Sequence, residues 1–254
     1  MEDIIIVIPT HSKYLEIVNY FLTILKINWN NCPYKIIISV AGEDRKIDGY
    51  TNLYNGKNAS LIDCITKAAN KYKSRYYMCF LGDAFVGKKV NHEKINDLLS
   101  NIINSNIEYC SINYVKNYKK KKKYNTYFRY INELDRYSHS FVSFIANYDY
   151  INKKLINFKS DLQFEEYYLD KKENHYYSNH IIVNKNYFNI LPSITKGKWD
   201  WINYHKLKRI NPELRQTKFQ ISTVKYSIYF HIREKINSYI SGNNRQFLKR
   251  IFKI

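Results

Sequence analysis

The sequence predicts an α/β protein with a mostly parallel central sheet flanked by helices, and three observations support this. Short, uninterrupted apolar runs recur through residues 1–115, as expected of strands covered on both faces. Apolar stripes at helical spacing stand between them. Clusters of Gly, Pro, Asn and Asp separate the two kinds of segment, and strands alternating with helices favour parallel pairing through right-handed crossovers.

Residues 4–8 form a β-branched run without polar alternation, and Pro9 and Thr10 end this first strand. Ser12 is placed to cap a helix whose Leu15, Val18, Phe21, Leu22 and Leu25 share a face, and the stretch from Asn30 to Pro33 breaks it. Residues 34–40 are a second buried strand, followed by the polar loop Gly42, Glu43, Asp44 and Arg45. After a loop marked by Gly49 and Gly56, Ser60 caps a helix carrying Leu61, Ile62, Ile65, Ala68, Ala69 and Tyr72 on one side. A third strand at 76–81 stops at Gly82 and Asp83. The stripe Ile95, Leu98, Leu99, Ile102 and Ile103 follows, and then a fourth strand at 108–112.

Composition shifts at Lys116. Lys119 to Lys123 are consecutive lysines that repel one another and read as a solvated loop or hairpin tip. Strands are expected at 141–145 and 180–183, and a helix from Asp161 to Tyr168 with acidic residues suited to its N-terminus. No internal repeat or flexible linker appears, so residues 1–254 are expected to form one domain, its second half packed on the first.

With 45% hydrophobic and 25% charged residues, 7 Gly and 4 Pro, the chain is neither collagen-like, low-complexity nor intrinsically disordered. No apolar run approaches the roughly 20 residues of a membrane span, and the start Met1-Glu2-Asp3 is acidic where a signal peptide is basic. A cytoplasmic location is expected. Cys32, Cys64, Cys79 and Cys110 form no CxxC motif and read as reduced core thiols. The 41 basic against 22 acidic residues give a net charge of +19, which suits an anionic partner: nucleic acid, a nucleotide-linked substrate or an acidic lipid surface. The joint abundance of Lys, Asn, Ile and Tyr also matches what an AT-rich coding sequence yields.

Ligands of an open parallel sheet bind beyond the carboxyl ends of its strands. The candidates there are Pro9, Thr10, His11 and Ser12, then Glu43 and Asp44, then Asp83. A G-x-G-x-x-G loop and a Walker loop are both read as absent, which argues against dinucleotide dehydrogenases and P-loop NTPases. His175, His180 and His205 have no metal-site spacing.

The strand leading into Pro9-Thr10-His11, the following Lys13-Tyr14-Leu15, the phrase Trp29-Asn30-Asn31-Cys32-Pro33-Tyr34 and the strand ending in Gly82-Asp83-Ala84-Phe85 resemble the GT-A fold glycosyltransferases. More narrowly they resemble bacterial proteins of capsule and lipopolysaccharide clusters. Phe164-Glu165 and Lys196-Gly197-Lys198-Trp199 are similar to that group's acceptor-side segments. The resemblance implies a GT-A-like (Rossmann-like) sheet, with residues 1–115 holding a nucleotide-sugar donor and residues 116–254 forming the acceptor side. Base and ribose would lie near Thr10 and the acidic loop. An Asp-x-Asp motif holds a divalent Mn or Mg ion in such enzymes, and this chain offers Asp83 alone. Asp83 would bind the metal with diphosphate oxygens and water, or contact sugar hydroxyls without metal, with Lys88 and Lys89 neutralising the diphosphate; a plain turn residue is the other reading.

Inverting transfer needs a general base. Asp161, Glu165 and Glu166, with Asp170 beyond, supply candidates, of which the Phe164-Glu165 phrase favours Glu165; acidic residues at a helix N-terminus are the alternative. Trp199 and Trp201 would stack on an acceptor sugar or serve as buried structural residues. The acceptor implied is a lipid-linked or other oligosaccharide. Phe247, Leu248, Ile251 and Phe252, flanked by Arg245, Lys249, Arg250 and Lys253, read either as an interfacial helix on an anionic membrane, peripheral to its inner face, or as a packed final helix. The competing functions are a basic nucleic-acid-binding protein and a catalytically degenerate, carbohydrate-binding GT-A relative.

Overall fold

In the computed structural model, which describes residues 2–114, 122–133, 139–169 and 175–239, the first apolar run belongs to a strand longer than its isoleucines. Strand β1 spans Glu2–His11 and pairs in parallel with β2 (Lys35–Ala41) as far as His11 opposite Ala41. Pro9 does not end it. Pairing to β4 (Ser74–Phe80) stops at Val7, so beyond that residue β1 is an edge, the position in which sheets accept proline. Alternate side chains of β1 enter different layers: Ile4, Ile6 and Ile8 join one core cluster, Ile5 and Val7 the other. Burial on both faces is why the run shows no polar alternation.

His11, not Ser12, provides the cap after β1. Its ring nitrogen Nδ1 accepts the Lys13 N–H at 3.2 Å and opens a 3-10 turn, Ser12–Tyr14, ahead of α1 (Leu15–Asn28). Ser12 Oγ instead accepts the Glu43 N–H at 3.0 Å, tying the loop after β2 to β1. Strand β3 (Thr51–Tyr54) lies beyond the loop that the glycines mark, and its polar, half-buried edge gives no apolar signal. Ser60 and Asp63 form a reciprocal capping box at the start of α2 (Leu61–Lys71).

After β4, the short strand β5 (Ala84–Val86) leads to α3 (His92–Asn104) and β6 (Tyr109–Ser111). The second half supplies β7 (Phe128–Asn132), β8 (Ser143–Asn147), α4 (Tyr148–Lys153), α5 (Asp161–Leu169) and β9 (Tyr176–Val183). Then come β10 (Ile190–Pro192), β11 (Ile194–Thr195), β12 (Lys198–Trp199), α6 (Trp201–Ile210) and α7 (Val224–Tyr239).

Among the described residues the main sheet has eight strands in the order β3-β2-β1-β4-β8-β6-β9-β7. Only β8 and β7 run against the rest. The sheet is mostly parallel. Strand β8 inserts antiparallel between β4 and β6, so strands from both halves of the chain interleave in one sheet. Helices α1 and α3 cover one face and α2, α4 and α5 the other. Lys123 bridges Arg129 and the Lys122 carbonyl accepts the Tyr130 N–H, while Lys119, Lys120, Lys121, Asp170 and the stripe from Arg245 to Lys253 lie outside the described residues.

Candidate functional site

The chain passes from β1 to β2 and β3 on one side and returns to β4 on the other, so the strand order reverses at β1. A cleft of ≈ 480 Å³ opens at the carboxyl ends of these strands. This is where such a sheet holds ligands. Pro9, Thr10 and His11 of β1 form its floor with Ala41, and Lys13, Tyr14 and Ile17 one wall. Leu81, Gly82 and Asp83 after β4, Ala59 to Leu61 at the start of α2, and Asp161 at the start of α5 form the remainder. Ile194, Lys196 and Gly197 of the β11–β12 hairpin complete the rim.

Two glycines make the close approaches. A Cβ on Gly42, whose φ is +91°, would stand 2.5 Å from Ser12 Oγ and 2.6 Å from the His11 ring, so the loop after β2 lies on that ring only because residue 42 is glycine. A Cβ on Gly82 would meet Val18 Cγ2 at 2.5 Å, and its absence lets the Asp83 turn descend onto α1. The rim hairpin turns through Lys196 and Gly197, both with positive φ (50° and 73°), the pattern of a two-residue type I′ turn.

The side chains facing the cleft differ in charge. Lys13 and Lys196 are its cations, Asp83 and Asp161 its carboxylates, and Thr10, Tyr14 and Ser60 its hydroxyls. Burial pushes the Asp83 carboxyl up to about 6, against the backbone N–H groups of Asp83 and Ile194 that stabilise its charge. The Ser193 N–H donates to the Asp83 carbonyl at 3.0 Å, so the rim hairpin is tied to the Asp83 turn. His11 Nδ1 accepts the Lys13 amide N–H, which leaves Nε2 as the ring's donor.

Several sequence candidates lie elsewhere. Glu43 pairs with Arg45 at 2.6 Å in the open, and Asp44 is exposed beside it; neither lines the cleft. Lys88 binds the Asn186 carbonyl and Lys89 the Ile27 carbonyl, the latter at 2.5 Å, so neither neutralises a ligand in the cleft. Gly82 to Lys88 has the G-x-x-x-x-G-K spacing of a phosphate loop, but Lys89 stands where Ser or Thr is needed and the segment is strand β5. Trp199 is wholly buried, its indole N–H donating to Thr217 Oγ1 at 3.0 Å, and it cannot stack on an acceptor. Trp201 is half-buried against His205, 4.3 Å between ring centroids, away from the cleft lining.

On α5 only Asp161 lines the cleft. Glu165 is half-buried; burial raises its carboxyl, the Phe141 N–H donated to it opposes that, and Asp161 adds to the rise. Glu166 is exposed. Sequence reading missed Lys13, Tyr14 and Ser60 as lining residues. Ser60 was signalled only as a cap, and Lys13 and Tyr14 sit in a turn that a helix reading conceals.

Divalent ions need several oxygen ligands. Among the described residues no three His, Cys, Asp or Glu side chains converge to hold a metal. The β4 turn offers one carboxylate, which already accepts two backbone N–H groups. One carboxylate makes no all-protein cage, so a Mn or Mg ion here would be held by Asp83 together with ligand phosphate oxygens and water.

A second polar cluster runs from buried His139, stacked on Tyr168 of α5, out to the partly exposed Glu108 and Lys154. His139 Nε2 lies 2.8 Å from His180 Nδ1, His180 Nε2 lies 3.2 Å from Glu108 Oε2, and Lys154 reaches the same oxygen at 2.5 Å. His180 and Lys154 hold the Glu108 carboxyl down at about 2, while burial lowers both histidines.

Fold and cleft define an α/β protein with an open cleft at the switch point of its sheet, lined by charges of both signs. No family model matches the chain. It is similar, at 24% identity over 221 residues that make up 83% of it, to a protein of Amsacta moorei entomopoxvirus provisionally named a glycylpeptide N-tetradecanoyltransferase. The chain spans 66% of that relative's length. Among solved structures it is similar to S. aureus TarS, with a TM-score of 0.47 and 12% identity over 87% of this chain and 41% of that one. It is also similar to a cytidylyltransferase from Leptospira borgpetersenii serovar Hardjo-bovis, with a TM-score of 0.44 and 12% identity over 88% of this chain and 99% of that one. Likenesses at these scores say nothing about the reaction.

Proposed function

We propose that the protein is a nucleotide-sugar-dependent glycosyltransferase that adds a sugar to a glycan acceptor. The observation that supports this best is the meeting of Asp83, Lys13 and Lys196 around one cleft at the ends of β1 and β4. Its ≈ 480 Å³ falls within the range of small-molecule sites. In this reading Lys13 and Lys196 supply the countercharge to the donor diphosphate, with His11 Nε2–H and Ser60 as neutral donors. Asp83, ionised, accepts hydrogen bonds from the donor sugar.

The base reading moves from Glu165 to Asp161, the α5 carboxylate that lines the cleft. As the acceptor oxygen bonds to the anomeric carbon, Asp161 takes its proton and the nucleoside diphosphate leaves with the electron pair of the broken bond, inverting the centre. No step is assigned to a metal. A lipid-linked surface polysaccharide is the acceptor class that the sequence resemblance suggests.

A thermal-shift panel of UDP, GDP, CMP and dTDP sugars tests the reading. Protection by one of them, with release of its nucleoside diphosphate (for a CMP sugar, CMP) when glycans are added, is the expected result. Protection without consumption would leave a carbohydrate-binding relative, and no protection by any of them would remove the donor site altogether.

A further inference from the structure

Helix α7 is amphipathic in the reverse of the usual sense. Its polar side faces the protein: Ser227 is fully buried, donates to Asp200 and accepts the Ile202 N–H at 3.3 Å, and His231 Nε2 lies 3.0 Å from Asp200 Oδ1. Its apolar side faces outward. Val224, Ile228, Ile232 and Ile236 recur every fourth residue, 42% to 53% exposed, with Tyr229 beside them at 53%. On a 100° helical wheel these five fall within one arc of about 140°. Lys225 and Lys235 fall inside that same arc, Arg233 borders it, and all three are exposed.

The geometry points to an anionic bilayer surface as the occupant of this stripe. A protein groove closing over it would have to cover the exposed Lys225 ammonium group set among the isoleucines. At a membrane interface the lysines extend their apolar stems along the helix and place their charges on lipid phosphates, while the isoleucines enter the acyl boundary. The cationic arc and the net charge of +19 complement anionic headgroups. None of the described helices is long and apolar enough to cross a membrane, so the contact is one of lying on the surface. This inference stands apart from the sugar-transfer reading.

Co-sedimentation of the full chain with phosphatidylglycerol/phosphatidylcholine vesicles at low salt tests it. Binding is expected to fall at least tenfold on pure phosphatidylcholine, and at least tenfold in the Ile228→Asp/Ile232→Asp variant, whose melting temperature should match wild type because both side chains are exposed. In the full-chain Ile232→Trp variant the added indole emission should shift to the blue on anionic vesicles. Wild-type binding by the double variant, an unshifted indole, or a wild-type dimer that the double variant disperses would each overturn the assignment, the last in favour of a second copy of this chain.

Discussion

Replacing Asp83 by Asn should separate stability from ligand binding. The native carboxyl is raised from 3.8 to about 6 by burial, so the folded protein favours the protonated form. Its contribution to stability is fully present below pH 3.8 and is lost as pH rises through about 6. A shift of about two units corresponds to about 3 kcal/mol in all, and with these two values about 1.4 kcal/mol of it is lost between pH 5 and pH 8. Asn has no such titration. Asn also keeps one acceptor oxygen where the carboxylate had two, which costs on the order of 1 kcal/mol at every pH and drops out of the comparison. Urea unfolding of both proteins at pH 5 and pH 8 should therefore show wild type losing about 1.4 kcal/mol more than the variant. Donor affinity at pH 8 should meanwhile fall about 10- to 100-fold, the worth of a charged hydrogen bond in a cleft. Equal pH dependence in the two proteins would refute the buried-carboxylate reasoning, and unchanged donor affinity would refute the role of Asp83 in binding.

Asp161→Asn should lower turnover about 10²- to 10⁴-fold with donor affinity nearly unchanged, whereas Glu165→Gln and Glu166→Gln should leave turnover within a few-fold; steady-state kinetics showing the reverse would return the base to Glu165. Lys13→Ala and Lys196→Ala should each weaken nucleoside diphosphate binding and reduce its salt dependence, while Lys88→Ala does neither, as calorimetry at two ionic strengths would show. Gly82→Ala places a methyl 2.5 Å from Val18 and should cost about 1–3 kcal/mol in chemical unfolding, with loss of donor binding as the Asp83 turn is displaced. Burial lowers His139 and His180, so folding favours their neutral forms and stability should decline as pH falls below about 6.5, where the unfolded chain takes up protons. In an Asp83→Asn/Glu165→Gln background, which removes the two raised carboxyls that titrate in the opposite sense, the melting temperature should fall from pH 7 to pH 5 while the imidazole NMR signals of His139 stay at their neutral positions.

The sheet was legible where burial is two-sided. The isoleucines of β1 and the apolar stretch of β2 announce themselves because both faces are covered, and Ser60 with Asp63 announces the start of α2. Strand β3 was silent because Thr51 and Asn52 hold an edge through backbone pairing and the Asn52 side chain, which bonds Ile47 and Tyr50, with little apolar burial. Of the site, Pro9, Thr10, His11 and Asp83 were readable because ligands gather at strand ends. Glu43 and Asp44 were placed there by the same rule and Lys88 by the family resemblance, yet Glu43 turns to Arg45 and Lys88 to Asn186, choices that depend on tertiary partners. Trp199 shows the same limit: a Trp beside glycine reads alike in a core and on a platform, and only the packing of Phe85 and Tyr20 around it decides.

The insertion of β8 bears on how the chain reaches its native state. Strand β4 bonds on one side to β1 and on the other to residues 143–147, with Phe80 opposite Ser143. During synthesis β4 can dock on β1 early, but its second edge stays open until β8 has left the ribosome. An apolar strand with an unpaired edge is a template for association with other chains. A nascent or truncated polypeptide stopping near residue 114 would accordingly display that edge, so the first half of the chain is not a unit that matures by itself, and its solubility before completion falls to whatever shields β4 in the interval.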